Sequence, residues 1–121
     1  MMSTTSEWPS EIRLAKTRDG LEIAFESGEK VALPAEYLRV SSPSAEVQGH
    51  SPSERKVIGG KRAVLITNIE PVGNYAIRLI FSDGHSTGLY TWPYLLELGR
   101  NHGTLWPKYL EELAAKGLSR G

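Results

Sequence analysis

Cysteine is absent from the 121-residue sequence. Without thiols, the chain can form no disulfide, cannot itself ligate an iron–sulfur cluster and has no cysteine nucleophile. Long apolar runs are absent as well, because no stretch is long enough to cross a bilayer and the N-terminus lacks the apolar core of a signal peptide. We therefore expect a cytoplasmic protein that has no membrane partner.

The chain also has no excess of positive or negative charge. The 14 basic and 14 acidic side chains cancel, so the formal net charge is zero with histidine neutral. No basic run is interleaved with aromatic residues, and nucleic acid is therefore not an expected partner.

The motifs of common enzyme classes are missing too. The string GxSxG is absent, and no order of Ser, His and Asp indicates a catalytic triad. The segment Gly59-Gly60-Lys61 lacks the spacing and the following Ser or Thr of a phosphate-binding loop, so it is interpreted as a flexible loop. We predict that the protein is not an enzyme.

The residues that are present suffice for one small domain. Apolar side chains make up 40% of the chain, which is enough for a modest core. We predict a flexible N-terminus over residues 1–10, a single domain over 11–117 and a tail over 118–121. Within the domain, residues 41–62 are rich in Ser, Gly, Pro and charge, which indicates a long surface loop.

The clearest local pattern lies in the last third of the chain. Alternating apolar residues over 76–82 predict a strand, and Asp83-Gly84 predicts a tight turn after it. Helical spacing then follows, with Thr91 as the predicted N-cap and Gly99 as the predicted end. A last helix is predicted to begin at a Thr104 cap.

Hairpins precede these helices along the rest of the chain. Period-two patterns predict strands around 12–16, 21–25, 31–33 and 63–69, with a turn over 70–74 after the last of them. Strands followed by helices indicate an α+β fold, a small antiparallel sheet on which two C-terminal helices pack.

Two stretches of the sequence resemble each other, LEIAFESGEKVALPAEYL and IRLIFSDGHSTGLYTWPYL. The matched positions are Phe25 with Phe81, Gly28 with Gly84, Leu33 with Leu89 and, after one inserted residue, Tyr37-Leu38 with Tyr94-Leu95. The match indicates either a true structural repeat of strand, turn, strand and helix or two chance uses of the same turn chemistry.

Histidine and aromatic residues supply the candidate site residues. No pair among His50, His85 and His102 has the spacing of a metal site, and His85 directly follows the Asp-Gly turn. The aromatic residues allow two interpretations: Trp92 and Trp106 anchor the C-terminal helices on the sheet, or Tyr90, Trp92 and Trp106 form an exposed surface that binds a partner.

The strings LPAEYLRVSSPSAEVQGH and FSDGHSTGLYTWPYLLELG resemble the gamma-butyrobetaine hydroxylase-like N-terminal domain, also known as DUF971. In the eukaryotic hydroxylases this domain binds zinc through a CxCxxC motif and a later histidine. Here Ser42, Ser44 and Val47 stand at the cysteine positions and His85 stands at the histidine. Because hydroxyl groups are poor zinc ligands and valine is none, we expect the zinc site of the family to be lost.

The resemblance also implies which roles are excluded and which are open. The catalytic iron of those hydroxylases lies in a separate domain, so oxygenase activity is not implied. Related domains are fused to Mrp-type ATPases that carry iron–sulfur clusters, which implies a non-enzymatic accessory domain whose partner is such an ATPase or an iron–sulfur assembly factor. Two alternatives remain: a zinc-binding domain with a rearranged site of His85, His50 and a carboxylate (Glu46 or Asp83), or an enzyme with a cleft lined by His85 and residues 41–50.

Overall fold

The computed structural model describes residues 8–48 and 56–121. Its elements are β1 (Pro9–Leu14), β2 (Gly20–Phe25), β3 (Lys30–Pro34), α1 (Ala35–Val40), α2 (Ala45–Gln48), β4 (Ile66–Val72), β5 (Ala76–Phe81), β6 (Leu89–Thr91), α3 (Trp92–Arg100) and α4 (His102–Ala115). The α+β prediction is confirmed, although the strands form two antiparallel sheets, β1-β2-β3 and β4-β5-β6. No helix in the described part of the chain could span a membrane.

One core lies between the inner faces of the two sheets and the helices. The central strands β2 and β5 place every second side chain into it, as the period of a half-buried strand requires. These side chains are Leu21, Ile23 and Phe25 from β2 and Ile77, Leu79 and Phe81 from β5, each at most 3% exposed. Leu38 of α1 and Leu95 of α3 complete this core from the helical side.

The two halves of the molecule repeat one structural unit of three strands and a helix. In each half the central strand pairs with both neighbours, and a β-bulge interrupts the first strand at the same position. The bulge lies between Pro9 and Glu11 in β1 and between Ile66 and Asn68 in β4, 57 residues later. A shared bulge and a shared pairing pattern make this a structural repeat and not a chance use of turn chemistry.

The structure corrects the predicted alignment of the repeat at one position. Leu33 pairs with Leu21 in the first sheet, and Tyr90 occupies the corresponding place opposite Ile77 in the second. The counterpart of Leu33 is therefore Tyr90, which is buried, and not Leu89, which is 41% exposed. The inserted residue of the second half consequently lies between the turn and the return strand β6.

The boundaries of β4 differ from the prediction. The strand begins at Ile66 rather than at residue 63, and it continues to Val72 through the predicted turn. Pro71 is accommodated because β4 is an edge strand, where a missing N–H costs no ladder hydrogen bond. The chain reverses direction at Gly73, the residue after the end of β4, which has a φ of +55°.

The predicted helix ends were also wrong. The first C-terminal helix, α3, continues through Gly99 to Arg100, and α4 starts at His102, so Thr104 lies inside a helix. A Cβ atom on Gly99 would lie 2.3 Å from Cγ1 of Val31. This glycine is therefore placed where α3 meets β3, and it does not terminate the helix.

The described part of the predicted surface loop over 41–62 includes secondary structure. It contains the short helix α2, and residues 49–55, which include His50, lie outside the described residues. Its last residues pair with the predicted C-terminal tail, since the N–H groups of Gly60 and Arg62 donate to the carbonyls of Ser119 and Arg120 at 2.8 and 2.9 Å.

Candidate functional site

A tight turn positions His85, the one buried histidine among the described residues. The Phe81 N–H donates to the His85 carbonyl at 2.9 Å, and the Gly84 N–H donates to the Phe81 carbonyl at 2.9 Å. Gly84 closes the turn with a φ of +91°, which favours glycine because a Cβ would be strained there. The chain leaves this turn at His85, whose side chain points into the molecule and is 8% exposed.

Two serines from the other half of the molecule meet this histidine. Nε2 of His85 lies 2.9 Å from Oγ of Ser42 and 3.4 Å from Oγ of Ser44, and the two hydroxyls lie 3.3 Å apart. Ser42 is fully buried and Ser44 is 8% exposed. Both follow the end of α1, so these three residues, the serine–histidine cluster, link the two halves.

The structure places some of the residues that the sequence suggested. The structure brings together Ser42, Ser44 and His85, and it buries Val47, whose N–H donates to the Ser44 carbonyl at 3.1 Å. His50 lies outside the described residues. A rearranged metal site that includes His50 therefore stays a prediction.

Asp83, which is not part of the serine–histidine cluster, forms two ion pairs that hold the turn in place. One carboxylate oxygen accepts from Nε of Arg39 on α1 at 2.8 Å and from Nζ of Lys61 at 2.6 Å. The other accepts from the backbone N–H of His85 at 3.0 Å. Burial alone would raise the pKa of Asp83, but the hydrogen bonds from Lys61, His85 and Arg39 outweigh it and lower the pKa to about 2.

Sequence reasoning named Asp83 only as an alternative metal ligand and missed its contacts with Arg39 and Lys61. Both oxygens of its carboxylate already accept hydrogen bonds, which opposes a ligand role. Arg39 lies 44 residues before Asp83 in the chain. Only the Asx-turn signal of Asp83-Gly84 was visible in the sequence.

The donor atoms of the serine–histidine cluster do not fit zinc. Zinc prefers thiolate, imidazole or carboxylate ligands, whereas the cluster offers one imidazole and two neutral hydroxyls. In a tetrahedral site with metal–ligand distances of about 2.0–2.3 Å, ligand atoms lie roughly 3.3–3.8 Å apart. Oγ of Ser42 and Nε2 of His85 are closer than that, at hydrogen-bond distance. Among the described residues, no group of three or more His, Cys, Asp or Glu side chains could hold a metal ion.

A serine within hydrogen-bond reach of a histidine is also the arrangement of a nucleophile and its base. Here, however, Ser42 has no exposed surface, and the packing around it is tight. A Cβ on Gly88 would lie 2.5 Å from Oγ of Ser42. A cleft of about 500 Å³ does exist on the first sheet, lined by Arg13, Asp19, Leu21, Leu33, Pro34 and His102, but it includes no member of the cluster.

The predicted aromatic surface is wrong for one of its three residues. Tyr90 is fully buried, and its hydroxyl donates to the Leu38 carbonyl at 2.6 Å. Its burial follows from its place opposite Ile77 on the inner face of the second sheet. Trp92 and Trp106 are half-buried and pack against the core, as the anchoring interpretation requires.

Both tryptophans also make polar contacts. Nε1 of Trp92 donates to the Asn74 carbonyl at 3.0 Å. The Arg120 guanidinium lies 5.5 Å from the ring centre of Trp106, and it also pairs with Glu36 at 2.7 Å. The C-terminal residues therefore cover part of Trp106.

Comparison with known proteins identifies the family. The family model described as gamma-butyrobetaine hydroxylase-like, N-terminal, matches residues 12–96. The chain belongs to this family. The matched range contains the whole serine–histidine cluster and confirms the resemblance drawn from the two sequence strings. No curated protein is similar to the chain.

Several solved structures are similar to this chain, and three of them are compared with it. One solution NMR structure is 47% identical, with 93% of this chain and 89% of the other covered and a TM-score of 0.79. A second is 42% identical, with 99% and 89% covered and a TM-score of 0.82. A crystal structure from Acidithiobacillus ferrooxidans ATCC 23270, of a protein with unknown function in the DUF971 family, is 36% identical, with 80% and 98% covered and a TM-score of 0.67.

Proposed function

We propose that this protein is a non-catalytic accessory domain that works in the cytoplasm by binding another protein. The observation that supports this proposal is the burial of the serine–histidine cluster. The nucleophile-type and base-type side chains of Ser42 and His85 contact each other, where no substrate can approach them. The proposed binding therefore uses residues on the surface of the domain and not the buried cluster.

An apolar patch on the second half supports the same proposal. Tyr75 is 51% exposed, and the half-buried Trp92 adjoins it, since the backbone N–H of Trp92 donates to the Tyr75 carbonyl at 3.3 Å. Large apolar side chains that lie close together at the surface are typical of protein contact sites. We name Tyr75 and Trp92 the apolar patch.

The partner class that we propose is an Mrp-type ATPase or an iron–sulfur assembly factor. Related domains are fused to such ATPases. Two domains that are fused in one protein often bind each other when they occur as separate chains, and this supports the proposed partner class. Because this chain has no cysteine, it would act as an adaptor and not as a thiolate scaffold for the cluster.

A binding measurement with matched variants tests the proposal. The purified 121-residue chain is titrated into an Mrp-type ATPase and, separately, into an iron–sulfur scaffold protein, by calorimetry. We expect one of them to bind, and the substitution Tyr75→Ser to weaken binding at least about 10-fold. The control is Leu110→Ser on α4, which removes an exposed leucine, at 37%, away from the apolar patch.

Two outcomes count against this function. If neither protein binds, the proposed partner class is wrong. If the control variant weakens binding as much as the patch variant does, the apolar patch is not the contact site. Circular dichroism of each variant verifies that the fold is retained.

A further inference from the structure

The structural repeat gives the serine–histidine cluster a counterpart in the other half. The first turn has the same hydrogen bonds as the second: the Phe25 N–H donates to the Glu29 carbonyl at 2.8 Å, and the Gly28 N–H donates to the Phe25 carbonyl at 2.9 Å. Glu29 therefore stands where His85 stands, 56 residues earlier. What Glu29 contacts shows what this position does in the fold.

Glu29 links the halves through an ion pair. Its carboxylate accepts from Nη2 and Nε of Arg100 at 2.7 and 2.9 Å. Arg100 is the last residue of α3, the helix of the second half. His85, in turn, contacts Ser42, just beyond the end of α1, the helix of the first half. Each turn thus reaches from its own half to the end of the opposite helix.

We propose that the serine–histidine cluster is a metal-independent cross-link, the buried counterpart of the Glu29–Arg100 ion pair. Hydrogen bonds here hold together the positions at which the resemblance implies a zinc ion in the eukaryotic hydroxylases. Two facts support this. Oγ of Ser42 and Nε2 of His85 lie 2.9 Å apart, which is too short for two ligands of one zinc ion, and the corresponding contact of the first half joins the halves by an ion pair.

The donor and acceptor balance of the cluster agrees with this role. A hydroxyl has one donor and two acceptor sites, and an imidazole nitrogen can take either part. The Ser44 N–H lies 3.3 Å from Oγ of Ser42, which in turn contacts Nε2 of His85. Buried polar groups that satisfy one another in this way stabilise a fold without a further ligand.

The first test is the response of the tag-free, 121-residue protein to metal. Thermal unfolding is followed in excess EDTA and in one equivalent of zinc chloride. We expect the two midpoints to agree within about 1 °C, because a ligand stabilises only the state that binds it. A midpoint that falls by more than about 5 °C in EDTA would overturn the proposal, as would a stoichiometric zinc ion that is lost in His85→Ala.

The second test compares the two cross-links. Removal of the His85 ring leaves buried hydroxyls without their partner, so we expect His85→Ala to lower the midpoint by roughly 10 °C, equally with and without EDTA. Glu29→Ala is the matched control and removes an exposed pair, with an expected loss below about 4 °C. If His85→Ala unfolds at the wild-type midpoint, the cluster is not a cross-link.

The third test converts one kind of cross-link into the other. The triple variant Ser42→Cys, Ser44→Cys, Val47→Cys should bind one Co²⁺ with a thiolate charge-transfer band, and zinc should raise its midpoint but not that of the wild type. Addition of His85→Ala to the triple variant should weaken that metal binding. A folded triple variant without metal affinity would overturn the equivalence of the two cross-links. If the variant does not fold, the first two tests decide.

Discussion

The two halves of this domain use the same strand and helix unit, yet they place the residue after the turn in opposite environments. Glu29 stays at the surface and pairs with Arg100, whereas His85 is buried against Ser42. The hydrogen bonds of the two turns are the same. The paths of the two chain segments therefore differ only after the turn, and the strand pairing shows at which residues they differ.

The second half contains one residue more between its turn and its return strand. Leu33 of β3 follows Glu29 by four positions, whereas its counterpart Tyr90 of β6 follows His85 by five positions. Glu29 leads straight into an extended strand, but the chain after His85 must bend before it can pair again. A single inserted residue thus accompanies the change from the surface ion pair of Glu29 to the buried polar cluster of His85.

The largest expected effect tests the closest contact between helix and sheet. Gly99 is the counterpart of Ser42 in the repeat, and a Cβ there would overlap Val31. We expect Gly99→Ala to lower the free energy of unfolding by about 3 kcal/mol through overpacking, measured by urea denaturation. Gly103→Ala in α4 is the control, because no heavy atom lies within 4 Å of its added Cβ.

Gly103→Ala should leave stability unchanged or raise it slightly, since alanine is favoured over glycine in helices. Equal losses in the two variants would rule out the contact of Gly99 with Val31 as the specific cause. A double variant with Val31→Ala should recover part of the loss if that contact is the cause.

The next effect concerns Asp83, whose counterpart in the first turn is Ser27. Both side chains accept from the N–H two residues later, at Glu29 and at His85. Asp83→Ser therefore keeps the local turn and removes the pairs with Arg39 and Lys61. We expect a loss of about 2 kcal/mol at pH 7, from the lowering of the Asp83 pKa from 3.8 to about 2.

The sign of the pH dependence follows from that shift. Because the pKa is lower in the folded state, the stabilisation is fully present above about pH 4 and is lost as the pH falls through about 2. Urea denaturation of wild type and Asp83→Ser should therefore differ at pH 7 and converge near pH 2. A constant difference across this range would rule out the carboxylate charge as its source.

The smallest effect tests the reciprocity of the repeat. The Tyr37 hydroxyl donates to the Leu98 carbonyl at 2.7 Å, and the Tyr94 hydroxyl donates to the Ser41 carbonyl at 2.5 Å. Tyr37 and Tyr94 are counterparts, and so are Ser41 and Leu98. We expect Tyr37→Phe to cost about 1.5 kcal/mol and Tyr94→Phe about 1 kcal/mol in urea denaturation, because Tyr37 is the more deeply buried. A larger loss in Tyr94→Phe would contradict this order.

Much of the local structure could be predicted from the sequence. The strand at 76–81, its Asp-Gly turn, the Thr91 cap and the repeat itself depend on neighbouring residues and on side-chain period. The Thr91 side chain indeed accepts from the Tyr94 N–H. The end of α3 was mispredicted, since glycine is both a helix terminator and the residue of closest approach, and only packing against Val31 distinguishes the two.

The candidate site could be predicted only in part. The family strings located Ser42, Ser44 and His85, but neither their mutual contact nor their burial followed from residue types, because a serine-rich segment is usually exposed. The interpretation of Tyr90 as a surface residue failed for a similar reason, because the density of aromatic residues does not show which of them face the core. The repeat alignment of Leu89 with Leu33 was shifted by one residue, and such a shift exchanges the two faces of a strand.

The sequence by itself determined the α+β class, the family, the turns and the lack of any thiol chemistry, because these depend on composition, local period and backbone preference. Only the tertiary structure decided that His85 contacts Ser42, 43 positions away, and that Asp83 forms ion pairs with Arg39 and Lys61. It also decided that Val31 packs directly against Gly99. These contacts form only when the two halves pack on one core, and packing between distant segments has no local signal in the chain.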